Sequence, residues 1–332
     1  MSNNQVASII SKSVNSKETY NILTFNTHER YQTQLAKTGH NFYAFNADGM
    51  KEWITGHGDI PENYYNLPKN SIYTGLDFDF ILAQSKFGQI QAAHQINQML
   101  NLPIVALEHT LPIQNWTNEQ LLQMKQMTGD VNVFISEYSA EQWKPTGSRE
   151  VVLHSIDTDL FKPQEGLERK PQVLSVVHSF IDRDYCCNYS GWQRITKPDE
   201  IKTRVVGDTP GLSKQSDSIQ DLVSEYQSSQ IFLNTSTLSP IPMALLEAMA
   251  CGCAVVTTAT CMIPEIIQDG VNGYISNDED QLQSSIQNLL NNPGLAKELG
   301  ENARQTIIEK FNEDSFVGNW NNIFNKAYGL KK

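Results

Sequence analysis

Short apolar runs alternate with amphipathic stretches along the whole chain, and this alternation limits the folds open to it. NILTF (Asn21–Phe25), NFYAF (Asn41–Phe45), FDFILA (Phe78–Ala83), PIVALE (Pro103–Glu108) and DVNVFIS (Asp130–Ser136) have the length and composition of buried strands. Arg30–Lys37, Ile90–Leu100 and a short stretch at Ala140–Trp143 carry helical spacing between them, and Val151–Leu153 closes this half. After the Pro- and charge-rich stretch Lys162–Pro171 the pattern restarts. VLSVVH (Val173–His178), KTRVV (Lys202–Val206), QIFLN (Gln230–Asn234) and AVVTT (Ala254–Thr258) read as strands. Ile219–Gln227, Gln281–Leu290, Leu295–Lys310 and Phe316–Tyr328 read as helices. Such alternation predicts an α/β protein of two doubly wound domains joined near residue 165. There is no internal repeat and no low-complexity tract.

Composition narrows the classes of function. The chain has 332 residues, 39% hydrophobic and 19% charged, which is enough for two domains. A net charge of -12 excludes bulk attraction to nucleic acid or anionic membrane. Five cysteines, an odd count without a small-domain framework, predict free thiols in a reducing compartment. Cys251 and Cys253 lack a second pair or a nearby His, so they read as small buried residues and not as zinc ligands. The N-terminal stretch MSNNQVASIISKSVNS has no signal pattern, and nowhere do eighteen apolar residues run together. The expectation is a soluble, cytoplasmic chain with no membrane span.

One stretch asks a chemical question. Residues 239–258 read SPIPMALLEAMACGCAVVTT, and Glu247 is the lone carboxylate in a helix of Met, Ala and Leu. A helix that apolar is buried, and a buried carboxylate is costly unless paired. The loop Thr235–Pro242 sits where the carboxyl end of a parallel strand feeds a helix, with Pro242 suited to the first helical position and Gly252 to its end. A helix N-terminus so placed favours phosphate, and a carboxylate beside it is a natural acceptor for ribose hydroxyls.

This stretch resembles the donor-binding motif of retaining GT-B glycosyltransferases, those like glycosyltransferase family 4. IPEIIQDGVNGY (Ile263–Tyr274), VVLHSIDTDLFKP (Val151–Pro163) and VVGDTPGL (Val205–Leu212) resemble the same family, over roughly residues 130–325. The resemblance implies a GT-B fold, two Rossmann-like domains facing a cleft. An acceptor-side domain (1–165) would precede a nucleotide-sugar domain (166–315), with a last helix (316–332) that returns to the first. It implies transfer of a sugar, with retention, from a UDP- or GDP-sugar to an acceptor hydroxyl, without cofactor or metal. The second of the motif's two glutamates matches Glu247, on the ribose. The first falls on Ser239, a departure that alters the contact to the sugar. Ile241, Met243 and Ala244 keep backbone N–H groups for sugar and diphosphate, whereas Pro240 and Pro242 cannot donate. The family's basic pair after the first strand of the second domain maps onto His178 and Arg183. His28 and His109, each after a strand, fall among acceptor-side and cleft residues; Arg183, His109 and His28 are the residues nearest the chemistry.

Rival readings come from other residues. Asp77–Asp79, Asp157–Asp159, Asp182–Asp184 and Asp278–Asp280 all have the DxD form of metal-dependent glycosyltransferases, and four matches show how unspecific it is. Glu265 fits helix capping as well as a place near the nucleotide. His40, His57, His94 and His154 read as structural. Asp182–Lys197 interleaves Arg183, Arg194 and Lys197 with Tyr185, Tyr189 and Trp192, which fits a packed loop or a base-stacking surface. The acceptor is therefore open between a glycan, a small molecule and modified DNA, as in phage enzymes that glycosylate hydroxymethylated bases. A sugar-nucleotide epimerase and a non-catalytic binder share the fold and stay open too.

Overall fold

The computed structural model describes residues 18–331, apart from 56–57, 74, 87, 113–115 and 198–199. Residues 1–17, with the N-terminal stretch considered above, and His57 lie outside the described residues. Two compact units are present. One runs through Ile135 and adds Ala140–Val152 and Asp314–Lys332; the other comprises Ser136–Ser139 and Leu153–Glu313.

The first unit is built on a parallel sheet of β1 (Asn21–Phe25), β2 (Asn41–Phe45), β3 (Tyr64–Asn66), β4 (Phe80–Ala83), β5 (Ile104–Glu108), β6 (Val131–Phe134) and β7 (Glu150–Val151). Its order is β3-β2-β1-β4-β5-β6-β7, so the chain reverses direction across the sheet between β1 and β4. Leu23 lies between Tyr43 and Ile81 in register. The helices are α1 (Glu29–Ala36), α2 (Gln89–Leu100), α3 (Asn118–Gln126) and α4 (Glu137–Trp143). Ile90, Ala93 and Ile96 of α2 pack on Leu23, Phe25, Ile81 and Ala83, and all four residues of β4 are buried. Strand β3 and helix α3 escape the sequence reading for definite reasons. The strand has only three residues, and the helix buries no side chain; a reciprocal Thr117–Gln120 capping box holds its start.

The second unit carries β8 (Lys170–Val176), β9 (Thr203–Val206), β10 (Ser229–Asn234), β11 (Ala254–Thr257) and β12 (Tyr274–Ile275) in the parallel order β12-β11-β10-β8-β9. Here the reversal falls between β8 and β10. Its helices are α5 (Asp184–Cys187), α6 (Tyr189–Thr196), α7 (Ile219–Ser228), α8 (Met243–Ala250), α9 (Ile263–Ile266), α10 (Glu279–Asn291) and α11 (Pro293–Lys310). Val173, Ile231, Leu233, Ala254 and Val256 meet Trp192 and Ile195 of α6 and Leu282, Ile286 and Leu289 of α10. Helix α8 is apolar nearly all round, and it is buried from Leu245 to Ala250.

The final helix, α12 (Glu313–Tyr328), packs within the first unit. Trp320 and Phe324 are fully buried. Phe324 sits 5.3 Å from the Phe80 ring and 5.4 Å from that of His40. Trp320 Nε1 donates to Tyr31 Oη at 3.0 Å, and Tyr20 Oη donates to Asn325 Oδ1 at 2.6 Å. Burying each such aromatic contributes about 1.5–3 kcal/mol, which fixes the chain's end to β1, β2 and β4.

Candidate functional site

In an open parallel sheet, ligands bind outside the carboxyl ends of the strands where the strand order reverses. In the second unit these are the ends of β8 and β10. Val177–Arg183 leaves β8, and Thr235–Pro242 leaves β10. The β10 loop is tied on both flanks. On one, the Cys186 carbonyl accepts the Thr237 and Leu238 N–H groups at 2.9 and 3.3 Å, and the Cys187 carbonyl accepts the Thr235 hydroxyl at 2.9 Å. On the other, the Ser236 carbonyl accepts the Thr258 and Thr260 hydroxyls at 2.6 and 2.8 Å, and the Pro240 carbonyl accepts Met262 N–H at 3.3 Å.

This loop delivers α8. The Leu245 N–H is bonded to the Pro242 carbonyl at 3.1 Å. Those of Met243 and Ala244 precede it, in the positive first turn where a helix offers no acceptor. Ile241 is buried, and Ser239 is half-buried beside it.

Glu247 does have a partner. The residue is 2% exposed, and its Oε2 accepts the Tyr226 hydroxyl at 2.9 Å. Tyr226 comes from α7, with its ring 6.2 Å from Phe161 and 5.9 Å from Phe232. Arg169 Nη1 donates to the Tyr226 backbone carbonyl at 2.9 Å. The sequence reading passes over Tyr226, whose one signal is a phenol among the buried positions Leu222, Val223 and Tyr226 of an amphipathic helix.

At the end of β8, His178 is exposed and its Nδ1 accepts the Asp208 N–H at 3.1 Å. Arg183 is exposed at the start of α5, with Nη2 3.7 Å from Cys186 Sγ. Its neighbour Asp184 turns to Ser190, accepting the N–H and the hydroxyl at 2.8 Å each. The structure thus gathers His178, Arg183, Ser239, Ile241, Met243 and Ala244 at the carboxyl ends of two adjacent strands, with Glu247 one turn further along α8.

In the first unit His28 stands at the N-cap position of α1 after β1, without a side-chain capping bond, and His109 follows β5. Their ring centroids are 4.9 Å apart, and Tyr31 lies 4.6 Å from His109. Desolvation by the surrounding atoms, then the charge of Lys51, holds His28 below the ordinary histidine pKa. Glu108 is buried and accepts Lys86 N–H at 3.0 Å, Thr110 N–H at 2.8 Å and the Thr110 hydroxyl at 2.6 Å. Burial pushes its pKa up and pushes that of Lys86 down; the Lys86 ammonium stands 5.2 Å over the Trp143 ring. Glu108 therefore organises its own loop.

The DxD pairs have structural occupations. Asp79 accepts Asn21 N–H at 2.8 Å and pairs with Lys331 at 3.2 Å. Asp157 accepts from the Asp159 and Leu160 N–H groups, and Asp278 caps α10. Among the described residues no three His, Cys, Asp or Glu side chains gather as a metal site. The aromatic–basic stretch is mostly packed: Trp192 is buried and stacks with Tyr189 at 5.8 Å, and Arg194 is held bidentate by Glu279 at 2.7 Å. Tyr185 is exposed.

Residues 203–306, which include β9, β10, α8 and the tied loop, match the family model described as glycosyl transferases group 1. This segment is similar to group 1 glycosyl transferase domains. N-acetyl-alpha-D-glucosaminyl L-malate synthase of Bacillus anthracis is 34% identical over 115 residues, 34% of this chain and 29% of that protein. The similarity thus spans less than a third of that relative. Two solved structures share the architecture at 14% identity. Sucrose-phosphate synthase of Thermosynechococcus elongatus superposes with a TM-score of 0.72 over 94% of this chain and 100% of that one. HepE of Anabaena, in complex with UDP, does so with a TM-score of 0.73 over 93% and 100%. The fold is GT-B. Among the described residues no helix is long and apolar enough to cross a membrane.

Proposed function

We propose that the chain transfers a sugar from a nucleotide diphosphate donor to an acceptor hydroxyl, with retention at the anomeric carbon. The observation that carries this reading is the start of α8, where the Met243 and Ala244 N–H groups stand one turn from Glu247 inside the segment similar to group 1 domains. The diphosphate lies against that helix N-terminus, with Arg183 and His178 supplying cationic and hydrogen-bonding partners. Glu247 accepts ribose hydroxyls, and Ser239 and Ile241 border the sugar. UDP is the first nucleotide to try, because the neighbouring HepE structure holds it.

In the reaction the acceptor oxygen bonds to the anomeric carbon as the bond from that carbon to the diphosphate oxygen breaks. The diphosphate leaves with the electron pair. Helix dipole and Arg183 offset its developing charge, a role that requires no metal. The acceptor proton passes to a phosphate oxygen on the same face. His109 and His28 lie on the acceptor side. The acceptor is a glycan or a small molecule, since Trp192, the ring on which a base would stack, is buried with its Nε1 on Ser175 Oγ.

The test is mass spectrometry of products from UDP- and GDP-sugars with glycan, small-molecule and hydroxymethylated-DNA acceptors, in excess chelator. A glycosylated product with inverted configuration, or turnover only when metal is restored, overturns the mechanism. Glycosylated DNA overturns the acceptor assignment. Nucleotide binding without any product favours a non-catalytic binder.

A further inference from the structure

We infer that Tyr226 is a positioning residue of the nucleotide site, acting on the donor through Glu247. The inference rests on the donor placement proposed above and extends it to a helix outside the motif. Glu247 projects from an apolar helix into surroundings that leave it 2% exposed. A carboxylate there rotates and drifts unless a donor holds it, and an ill-placed carboxylate cannot meet a ribose diol. Two oxygens offer about four lone-pair sites. The Tyr226 hydroxyl takes one on Oε2 at 2.9 Å, and this bond sets the group's orientation.

The tyrosine is itself fixed. Its ring is fully buried between Phe161 and Phe232, and Arg169 holds the end of α7 through the carbonyls of Tyr226 and Ser229 at 2.9 and 2.7 Å. Phe161 and Arg169 lie ahead of β8, outside the 203–306 domain. The orientation of the nucleotide carboxylate thus depends on chain segments well removed from the donor loop. A buried phenol whose hydroxyl reaches a site carboxylate does more than fill volume, because Phe would fill nearly the same space.

Tyr226→Phe removes Oη alone. In the full-length chain, UDP affinity should fall about tenfold, and the donor KM should rise with kcat little changed at saturation. Glu247→Ala should also weaken UDP, and adding Tyr226→Phe to it should cost nothing more, because the acceptor of the lost contact is already gone. Loss of packing alone would leave the two effects additive. Wild-type UDP affinity in Tyr226→Phe, or additive losses, overturns the inference. Wild-type UDP affinity in Glu247→Ala fails at an earlier point and overturns the donor placement. Should Tyr226→Phe not fold, fluorotyrosine at position 226 keeps the hydroxyl, exchanges one ring hydrogen for fluorine and strengthens the phenol as a donor. Tighter UDP binding then supports the inference, and unchanged binding overturns it.

Discussion

Gly207→Ala should damage the donor site from a distance. Gly207 ends β9 with φ +133°, and a Cβ there would lie 2.0 Å from the Val177 carbonyl oxygen and 3.1 Å from the His178 nitrogen. Ordinary contact is 3.4 Å or more, so the β8 end must retreat by over an ångström. The backbone conformation costs about 1–3 kcal/mol in a residue with a side chain, and the overpacking costs about 1–3 kcal/mol more. The total, about 2–6 kcal/mol, should lower the melting temperature by about 4–24 °C at the scale for domains of this size. The retreat also breaks the contacts through which β9 holds the β8 loop: Ser179 N–H to the Asp208 carbonyl at 2.7 Å and Asp208 N–H to His178 Nδ1 at 3.1 Å. Calorimetric titration with UDP, below the lowered melting point, should therefore show weaker binding in a chain that is still folded. Wild-type stability would refute the steric argument. Wild-type UDP affinity in a destabilised variant would refute the placement of the diphosphate beside His178.

Two more outcomes follow from the same contacts. The Tyr20 N–H donates to His40 Nδ1 at 3.2 Å and His40 Nε2 meets Asn321 Oδ1 at 3.1 Å, so the bonded ring is neutral, and desolvation lowers its pKa. A lowered pKa means that the unfolded chain binds the proton more readily. Docking of α12 is therefore at full strength above about pH 6.5 and weakens as pH falls below it; the protection factors of 313–328, hydrogen exchange divided into its intrinsic rate at each pH, should fall between pH 7 and pH 5, with a flatter profile in His40→Gln. Arg194→Ala opens an exposed pair with Glu279, and pairs of that kind contribute little. Its melting temperature should stay at the wild-type value, and a clear drop would show that α6 depends on the pair.

How legible the molecule is in its sequence varies with the kind of contact involved. Strands such as NILTF and QIFLN are buried on both faces, so their apolar runs announce them. Helix α3 buries no side chain fully, with Met124 only part-buried against Phe134 and Trp143, so little periodicity betrays it. Strand β8 ends at Val176, so His178 stands in the loop beyond it, where a ligand-facing residue belongs. The donor loop is readable because strand end, proline and helix start are neighbours in sequence. Its fastening is not, since Cys186 comes from α5 and Thr258 and Met262 from the segment after β11. The bond between Tyr226 and Glu247 joins different helices, and only the packing of both α7 and α8 on β10 brings them together. The DxD pairs mislead for the opposite reason: Asp157 and Asp278 make short-range caps, for which aspartate is the ordinary choice.

That fastening separates two properties that a mutation in the loop could confound. Thr235, Ser236, Thr237, Leu238 and Pro240 are all tied through main chain or hydroxyl to α5 or to the segment after β11. Pro240 and Pro242 fix φ and remove two N–H groups. The loop is therefore preformed, and a substitution at half-buried Ser239 changes the side chain offered to the sugar while the backbone path to α8 stays in place. Serine is short and neutral and can both donate and accept; glutamate would reach further and only accept. Ser239→Glu should shift preference among donor sugars toward those with more hydroxyls to donate, and leave the affinity for UDP itself near wild type. A donor panel run beside UDP titration reads both. If UDP affinity falls as far as sugar preference moves, the loop is not preformed, and Ser239 acts on the nucleotide through the backbone. If neither moves, the sugar lies elsewhere.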